Sequence, residues 1–396
     1  YNNVEQLRKN IPEAYRHDAL GLGRTSNFYC ATEPVGIPGV SKTAEVGLLT
    51  WACHNLWLIY RHKMDDALLR DKLFPLLKGA VNYYLHFLQK EEDGKLHLPA
   101  TYSPEYGSAE DCNFDLSLLR WGCLTLIQSA ERLNIDDPLL PKWKTVLEEL
   151  TPYPQDENGL FIGRNTPYAF SHRHYSHLLA AYPLYTLNKE HPEDVDLIER
   201  SLHFWQSKTG AHQGYSLTGA SSISSALGKG NDALAYLNKL FGRFLSVNTL
   251  YRESGPVIET PLSGAQSIHD MLLQSWGDKI RVFPAVPDAW QDVAFEGLRT
   301  EGAFKVSANR TAGTEFIQVK SLAGEPCILV TDIARPFFKG KRHLEVKQLG
   351  EHTYQVDLQK GEEMLVYPEG ASPDLIIRPI QNTSIHCFGK KLKDKK

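Results

Sequence analysis

The stretch "NFDLSLLRWGCLTLIQSAERLN", residues 113–134, decides the fold class. Its apolar positions 116, 119, 123, 126, 127, 130 and 133 recur at helical spacing, which predicts a long helix with one face in a core. The same texture runs outward in both directions. "EVGLLTWACHNLWLIYRHK" (45–63) is apolar nearly all round and should be buried. "DALLRDKLFPLLKGAVNYYLHFLQK" (66–90) carries Pro75, a kink or boundary. "DVDLIERSLHFWQSK" (194–208), "SLTGASSISSALGKG" (216–230), "NDALAYLNKLFGRFLS" (231–246, with Asn231 as N-cap) and "SGAQSIHDMLLQSW" (263–276) continue the pattern.

From residue 279 the texture changes. "KIRVFPAVP", "AFKVSANR", "EFIQVKSL", "PCILVTDI", "TYQVDL" and "EMLVYP" are short runs rich in β-branched and aromatic residues, bounded by turn formers. They predict an antiparallel β-sandwich domain. The expected division is a helical domain over 1–278, a β domain over 279–388 and a basic tail over 389–396. Long loops between helices (91–112, 151–171, 209–215 and 247–262) suggest an α/α toroid with its pocket at the long-loop end.

Composition excludes several roles. Lys and Arg number 43 and Asp and Glu 47, a net charge of −4, so nothing global attracts nucleic acid or an anionic membrane. No apolar run approaches the length of a membrane span. Six cysteines without a C-x-x-C pair do not suggest a disulfide framework or a metal knuckle.

Three constellations carry possible chemistry. "YAFSHRHYSHLLAAYPLYTL" (168–187) holds His172, Arg173, His174 and His177. It reads as a zinc site, as histidines packed in a short helix capped by Ser171, or as the lining of a polar pocket. The helical metal spacing with an intervening Glu is missing. "LPATYSPEYGSAEDCNFD" (98–115) sets Glu105, Glu110, Asp111 and Asp115 in a Pro/Gly-broken loop. A carboxylate on a stiff turn, partly desolvated and raised in pKa, is what general acid catalysis needs; a solvated acidic loop is the plainer reading. Asp115, next to the apolar stripe, could instead satisfy amides at the helix start. "YRESGPVIETPLSG" (251–264) adds Glu253 and Glu259. If these loops converge, they suit glycoside cleavage, which uses two carboxyl groups about the glycosidic oxygen. Trp121, Tyr102, Tyr106, Tyr168, Tyr175 and Tyr251 could stack on sugar faces or belong to the core.

"HRHYSHL", "SPEY" followed by "NFDLSLLRW", "VIETPLSGAQSIHDMLLQS" (257–275) and "IRVFPAVPDAWQDVAFEGLRTEGAFKV" (280–306) occur in the order of motifs in glycoside hydrolase family 95, the inverting α-L-fucosidases and α-L-galactosidases, which the chain resembles over roughly 44–330. The resemblance implies an (α/α)6 barrel followed by a C-terminal β domain, with Glu105 as general acid. His172, Arg173, His174, His177, Asp111, Asp115, Trp121 and Glu253 would contact sugar, with no metal and no cofactor. The family's water-activating Asn-x-Asn motif is not found in residues 1–45, and its N-terminal β domain is not represented. The chain therefore resembles the C-terminal part of a longer protein or a trimmed relative. The assisting Asp aligns with Glu259, followed here by Thr260 and Pro261. Glu259 could act as the base directly, or the change could mark altered specificity or lost catalysis. The expectation is an exo-acting glycosidase on an oligosaccharide or polysaccharide, secreted or periplasmic by family resemblance. A glycan-binding homologue is the alternative, and a helical scaffold for partner proteins the third. Oligomeric state is not legible.

Overall fold

A computed structural model describes residues 3–246, 248, 250–253, 257–311 and 313–378. The basic run 389–396, Cys387 and the expected end of the β domain lie outside the described residues. The five described cysteines, Cys30, Cys53, Cys112, Cys123 and Cys327, are unbridged. No helix among the described residues is long and apolar enough to cross a membrane.

Two compact units emerge. One comprises residues through Tyr60 together with Asp65–Ala211, and the other Arg61–Met64 with residues from His212 onward. Compactness thus groups the helices after residue 212 with the sheets, while sequence texture changes at 279.

The first unit is helical. Its central element is the Asn113–Leu133 helix, in which Phe114, Leu116, Leu118, Leu119, Cys123 and Leu126 are wholly buried. Each such side chain contributes about 1.5–3 kcal/mol on leaving water. The helix stops at Asn134, which adopts φ +53°, a left-handed cap that asparagine tolerates. The Phe74–Leu85 helix packs on it at Gly122, where an added β-carbon would lie 2.7 Å from Val81 Cγ2. A wide π-type turn over Leu69–Leu73 precedes Pro75, whose missing N–H breaks the regular ladder there. Leu48–Arg61 and Pro192–Ser207 occupy the expected stretches, while Val4–Lys9 and Leu140–Glu149 are helices that periodicity did not reveal.

The second unit begins with three helices, Gly214–Ala226, Gly230–Phe244 and Glu259–Leu272. Small residues let them approach closely. Ser222 and Ser267 hydroxyls lie 3.0 Å apart, and Thr218 and Ser263 hydroxyls 2.8 Å. Asn231 is not the N-cap: it sits inside the first turn and its side chain bonds Asp288.

Two five-stranded sheets follow. One runs Pro336–Lys339, Glu363–Pro368, Thr314–Ser321, Phe304–Thr311, Asp292–Thr300; the other runs Val346–Gly350, Thr353–Asp357, Pro326–Val330, Lys279–Val282, Leu273–Gln274. Ile280, Val282, Leu329 and Val356 from one sheet and Phe295, Val306, Ile317 and Val366 from the other share one core. The sheets are not wholly antiparallel. Ile328 pairs with Lys279 and Val330 with Arg281 in parallel, because the chain crosses through the other sheet between these strands. Asp292–Thr300, Pro336–Lys339 and Val346–Gly350 were not among the expected strands.

Candidate active site

Glu105 stands at the tip of a hairpin. Thr101–Ser103 pairs with Gly107–Ala109, leaving Pro104, Glu105 and Tyr106 to turn the chain. Tyr106 N–H donates to the Ser103 carbonyl at 3.0 Å, and Glu105 adopts φ +59°. That left-handed backbone disfavours a side chain by about 1–2 kcal/mol, so the surroundings must impose it. They do so from several sides. Thr101 Oγ1 donates to Asp115 Oδ2 at 2.6 Å, Tyr102 N–H to the Ala44 carbonyl at 2.9 Å, and Ser108 Oγ to the Lys42 carbonyl at 2.6 Å. Ser103 and Ser176 hydroxyls, 2.8 Å apart, tie the hairpin to the histidine-bearing segment.

That segment is not a helix. Only Ser176–Leu178 makes a single 3-10 turn, and Ser171 does not cap it. The Ser171 hydroxyl instead donates to the Lys208 carbonyl at 2.5 Å and accepts the Ala211 N–H at 2.8 Å. Tyr168 Oη accepts the His172 N–H at 2.7 Å, and Trp205 Nε1 donates to the His172 carbonyl at 3.1 Å. The His172 and His174 rings lie side by side, 5.2 Å between centroids, and the His174 N–H donates to His172 Nδ1 at 3.1 Å. His177 is buried and stacks on Tyr168 at 4.8 Å; burial pushes its pKa down to about 3, so it is a neutral, packed ring. Two of the three histidines therefore reach the Glu105 neighbourhood and one belongs to the packing beneath.

Arg173 Nη2 lies 2.5 Å from Glu105 Oε2, and His174 Nε2 lies 3.1 Å from the same oxygen. Arg24, paired with Glu45 and set 5.6 Å from the Tyr102 ring centre, adds a second guanidinium whose charge reaches Glu105. Partial burial alone would raise the Glu105 carboxyl. The charges of His174 and Arg173, the His174 hydrogen bond and Arg24 together outweigh it and hold the carboxyl below its ordinary range. The raised acid expected from the sequence is thus reversed: without substrate Glu105 is an ionised carboxylate. His172 and His174 are lowered as well, first by burial.

Beside this charge cluster lies an aromatic face. Tyr106 and Phe170 stack at 4.1 Å and 4° between planes, and Tyr106 Oη accepts the Ala169 N–H at 2.8 Å. Phe170 is 53% exposed. An exposed flat ring stacked on Tyr106, whose own ring meets His172 edge-on at 5.7 Å, is a surface on which a sugar face can rest. Neither Phe170 nor Arg24 was picked out from the sequence; no spacing rule points to either.

The other expected residues fall in different environments. Asp115 is wholly buried, its oxygens taken by Thr101 and by Tyr84 Oη at 2.6 Å; burial pushes its carboxyl up to about 7. It accepts hydroxyls rather than capping amides, and it grips the base of the Glu105 hairpin. Asp111 is also buried, accepting the Leu98 N–H at 2.8 Å and lying 2.7 Å from His97 Nδ1, with Arg164 at 3.4 Å. Trp121 lies in the core, edge-on to His54 at 5.1 Å.

Glu253 and Glu259 belong to the second unit. Glu253 Oε2 accepts from Tyr251 Oη and, at 3.2 Å, from Thr260 Oγ1. Gly214 is required here, because a β-carbon would come within 2.0 Å of Tyr251 Oη. Glu259 is exposed at the first position of the Glu259–Leu272 helix, not in a preceding loop. Pro261 fits the first turn, where its absent N–H has no intrahelical partner to lose.

The architecture and the described cluster define a helical catalytic domain followed by β-sandwich-like sheets. The chain belongs to glycosyl hydrolase family 95. The family's catalytic-domain model matches residues 2–272 and its C-terminal-domain model residues 274–366. Alpha-L-fucosidase 2 of Arabidopsis thaliana is 26% identical over 287 residues, covering 65% of this chain and 33% of that protein. Probable alpha-fucosidase A of Aspergillus niger is 24% identical over 302 residues, covering 65% and 36%. The chain spans about a third of the length of these curated relatives. Among solved structures, a putative kojibiose phosphorylase from human microbiome aligns over 83% of this chain and 48% of its own, with TM-score 0.56 and 11% identity, a likeness of fold alone.

Proposed function

We propose that this chain carries the acid-bearing part of an exo-acting glycoside hydrolase that removes a terminal α-L-fucose or α-L-galactose type residue from a glycan with inversion. The observation that carries the reading is Glu105: a carboxylate on a braced, strained turn, flanked by Arg173, His174 and Tyr106, on which the exposed Phe170 stacks. Family membership and the fucosidase names of its relatives support the sugar class. The reading includes completion of an (α/α)6 barrel by the helices and a secreted or periplasmic location.

In the proposed reaction Glu105 gives its proton to the glycosidic oxygen as the anomeric carbon–oxygen bond breaks. Inversion also needs a base that takes a proton from the water attacking the opposite face, and Glu259 is proposed for that role from its alignment alone. Glu105 must first acquire a proton. A sugar that draws Arg173 and His174 onto its hydroxyls and excludes water removes the interactions that keep the carboxyl low, leaving desolvation to raise it.

A second reading is a glycan-binding homologue that does not cleave. It is favoured by the ionised state of Glu105 and by Thr260 and Pro261 after Glu259. Monosaccharide release from α-L-fucosyl and α-L-galactosyl oligosaccharides separates the two. Hydrolysis that falls about 10²–10⁴-fold in Glu105→Gln supports the acid role. Unchanged turnover in that variant removes it, and calorimetric binding without product selects the second reading.

A further inference from the structure

We infer that His17, Asp18 and His86 form a surface site for a first-row divalent cation of the zinc class. The three side chains come from two segments of the first unit, the turn after Glu13–Tyr15 and the end of the Phe74–Leu85 helix. Asp18 Oδ1 lies 2.7 Å from His86 Nε2 and 3.4 Å from His17 Nε2, and all three ligand atoms fall within 4.8 Å of one another. Donors about a tetrahedral zinc, each roughly 2.0–2.1 Å from the ion, sit about 3.3 Å apart. Small rotations of partly exposed side chains close the difference.

The surroundings are those of a metal ligand set. His17 Nδ1 lies 3.1 Å from the Ala14 carbonyl, which fixes the proton on that nitrogen and turns the Nε2 lone pair toward Asp18. His86 is the C-terminal cap of its helix, where backbone carbonyls favour a cation, and its ring packs on Tyr15 at 5.1 Å. Asn82 Nδ2 donates to the Asp18 carbonyl at 3.0 Å, holding that backbone in place. Two imidazoles and one carboxylate suit zinc, nickel or copper rather than calcium or magnesium. The solvent side leaves a fourth position for water. A bound ion would link residues 13–18 to the helix end. The site lies outside the Glu105 cluster, and no motif marks it, because its donors are distant in sequence.

The test uses the whole chain, stripped with a chelator, dialysed, and titrated with Zn²⁺ in a calorimeter and in a melting experiment, alongside His17→Ala and His86→Ala. We expect one equivalent bound, a rise in melting temperature, and affinity at least ~10-fold weaker in each variant. Co²⁺ in place of zinc should show the absorption of a low-symmetry nitrogen–oxygen site in the wild type alone. His17 is exposed, so metal-free His17→Ala should melt with the metal-free wild type, which separates loss of binding from loss of fold. No zinc uptake by the wild type, or uptake undiminished in His17→Ala, would overturn the assignment in favour of a plain imidazole–carboxylate cluster.

Discussion

Arg173 Nη2 lies 2.5 Å from Glu105 Oε2, and this contact joins the tip of one hairpin to a loop distant from it in the chain. It makes Glu105 a better anion than an isolated glutamate, at odds with the proton-donating role proposed for it. The pH dependence of Arg173 variants is therefore informative.

Removing the guanidinium in Arg173→Ala should let the Glu105 carboxyl rise, because one of the charges that depress it is gone. A general acid works only while protonated, so activity is lost as pH climbs through its pKa. The basic limb of kcat/KM against pH should consequently move upward. Arg173 and Glu105 are both partly exposed, so water screens the pair and the shift should be small. A profile identical to wild type would mean that Glu105 does not set that limb.

Asp115 offers a titration of stability. Burial raises its carboxyl from 3.8 to about 7, so the folded state holds that proton more tightly than the unfolded chain. Its contribution to stability is full below about pH 4 and is lost as pH rises through 7, at no more than about 1.4 kcal/mol per pH unit. Asp115→Asn cannot ionise, so its melting temperature relative to wild type should improve steadily between pH 4 and 7. A constant difference across that range would show that Asp115 does not titrate there.

Phe170→Ala removes the exposed half of the Tyr106–Phe170 stack. A sugar resting on that ring should lose roughly 1 kcal/mol or more, a KM increase of about 5–10-fold with kcat nearly preserved. Steady-state kinetics on a fucosyl substrate would test it. A fall in kcat at constant KM would place the ring's effect on the chemical step instead.

Gly214→Ala should destabilise by about 1–3 kcal/mol, since the new methyl meets Tyr251 Oη at 2.0 Å and Thr260 Cγ2 at 2.8 Å. The same displacement should loosen the Tyr251–Glu253 contact. Denaturant unfolding measures the first effect; a midpoint equal to wild type would mean that Tyr251 yields freely.

The amino-acid sequence alone determined that helices precede strands, that Glu105 sits on a stiff turn, and which family the motifs resemble. These are local matters: helical periodicity, β-branched composition and the backbone limits of proline and glycine act within a few residues. Tertiary structure decided the rest. It brought His172 and His174 together while His177 packed beneath, buried Asp115 and Trp121, put the Arg24 charge within reach of Glu105, stacked Phe170 on Tyr106, and joined His17 and Asp18 to His86. The charge state of Glu105 belongs to this second group. Desolvation and Coulomb attraction depend on which groups stand within a few ångströms in space, and no spacing along the chain encodes that.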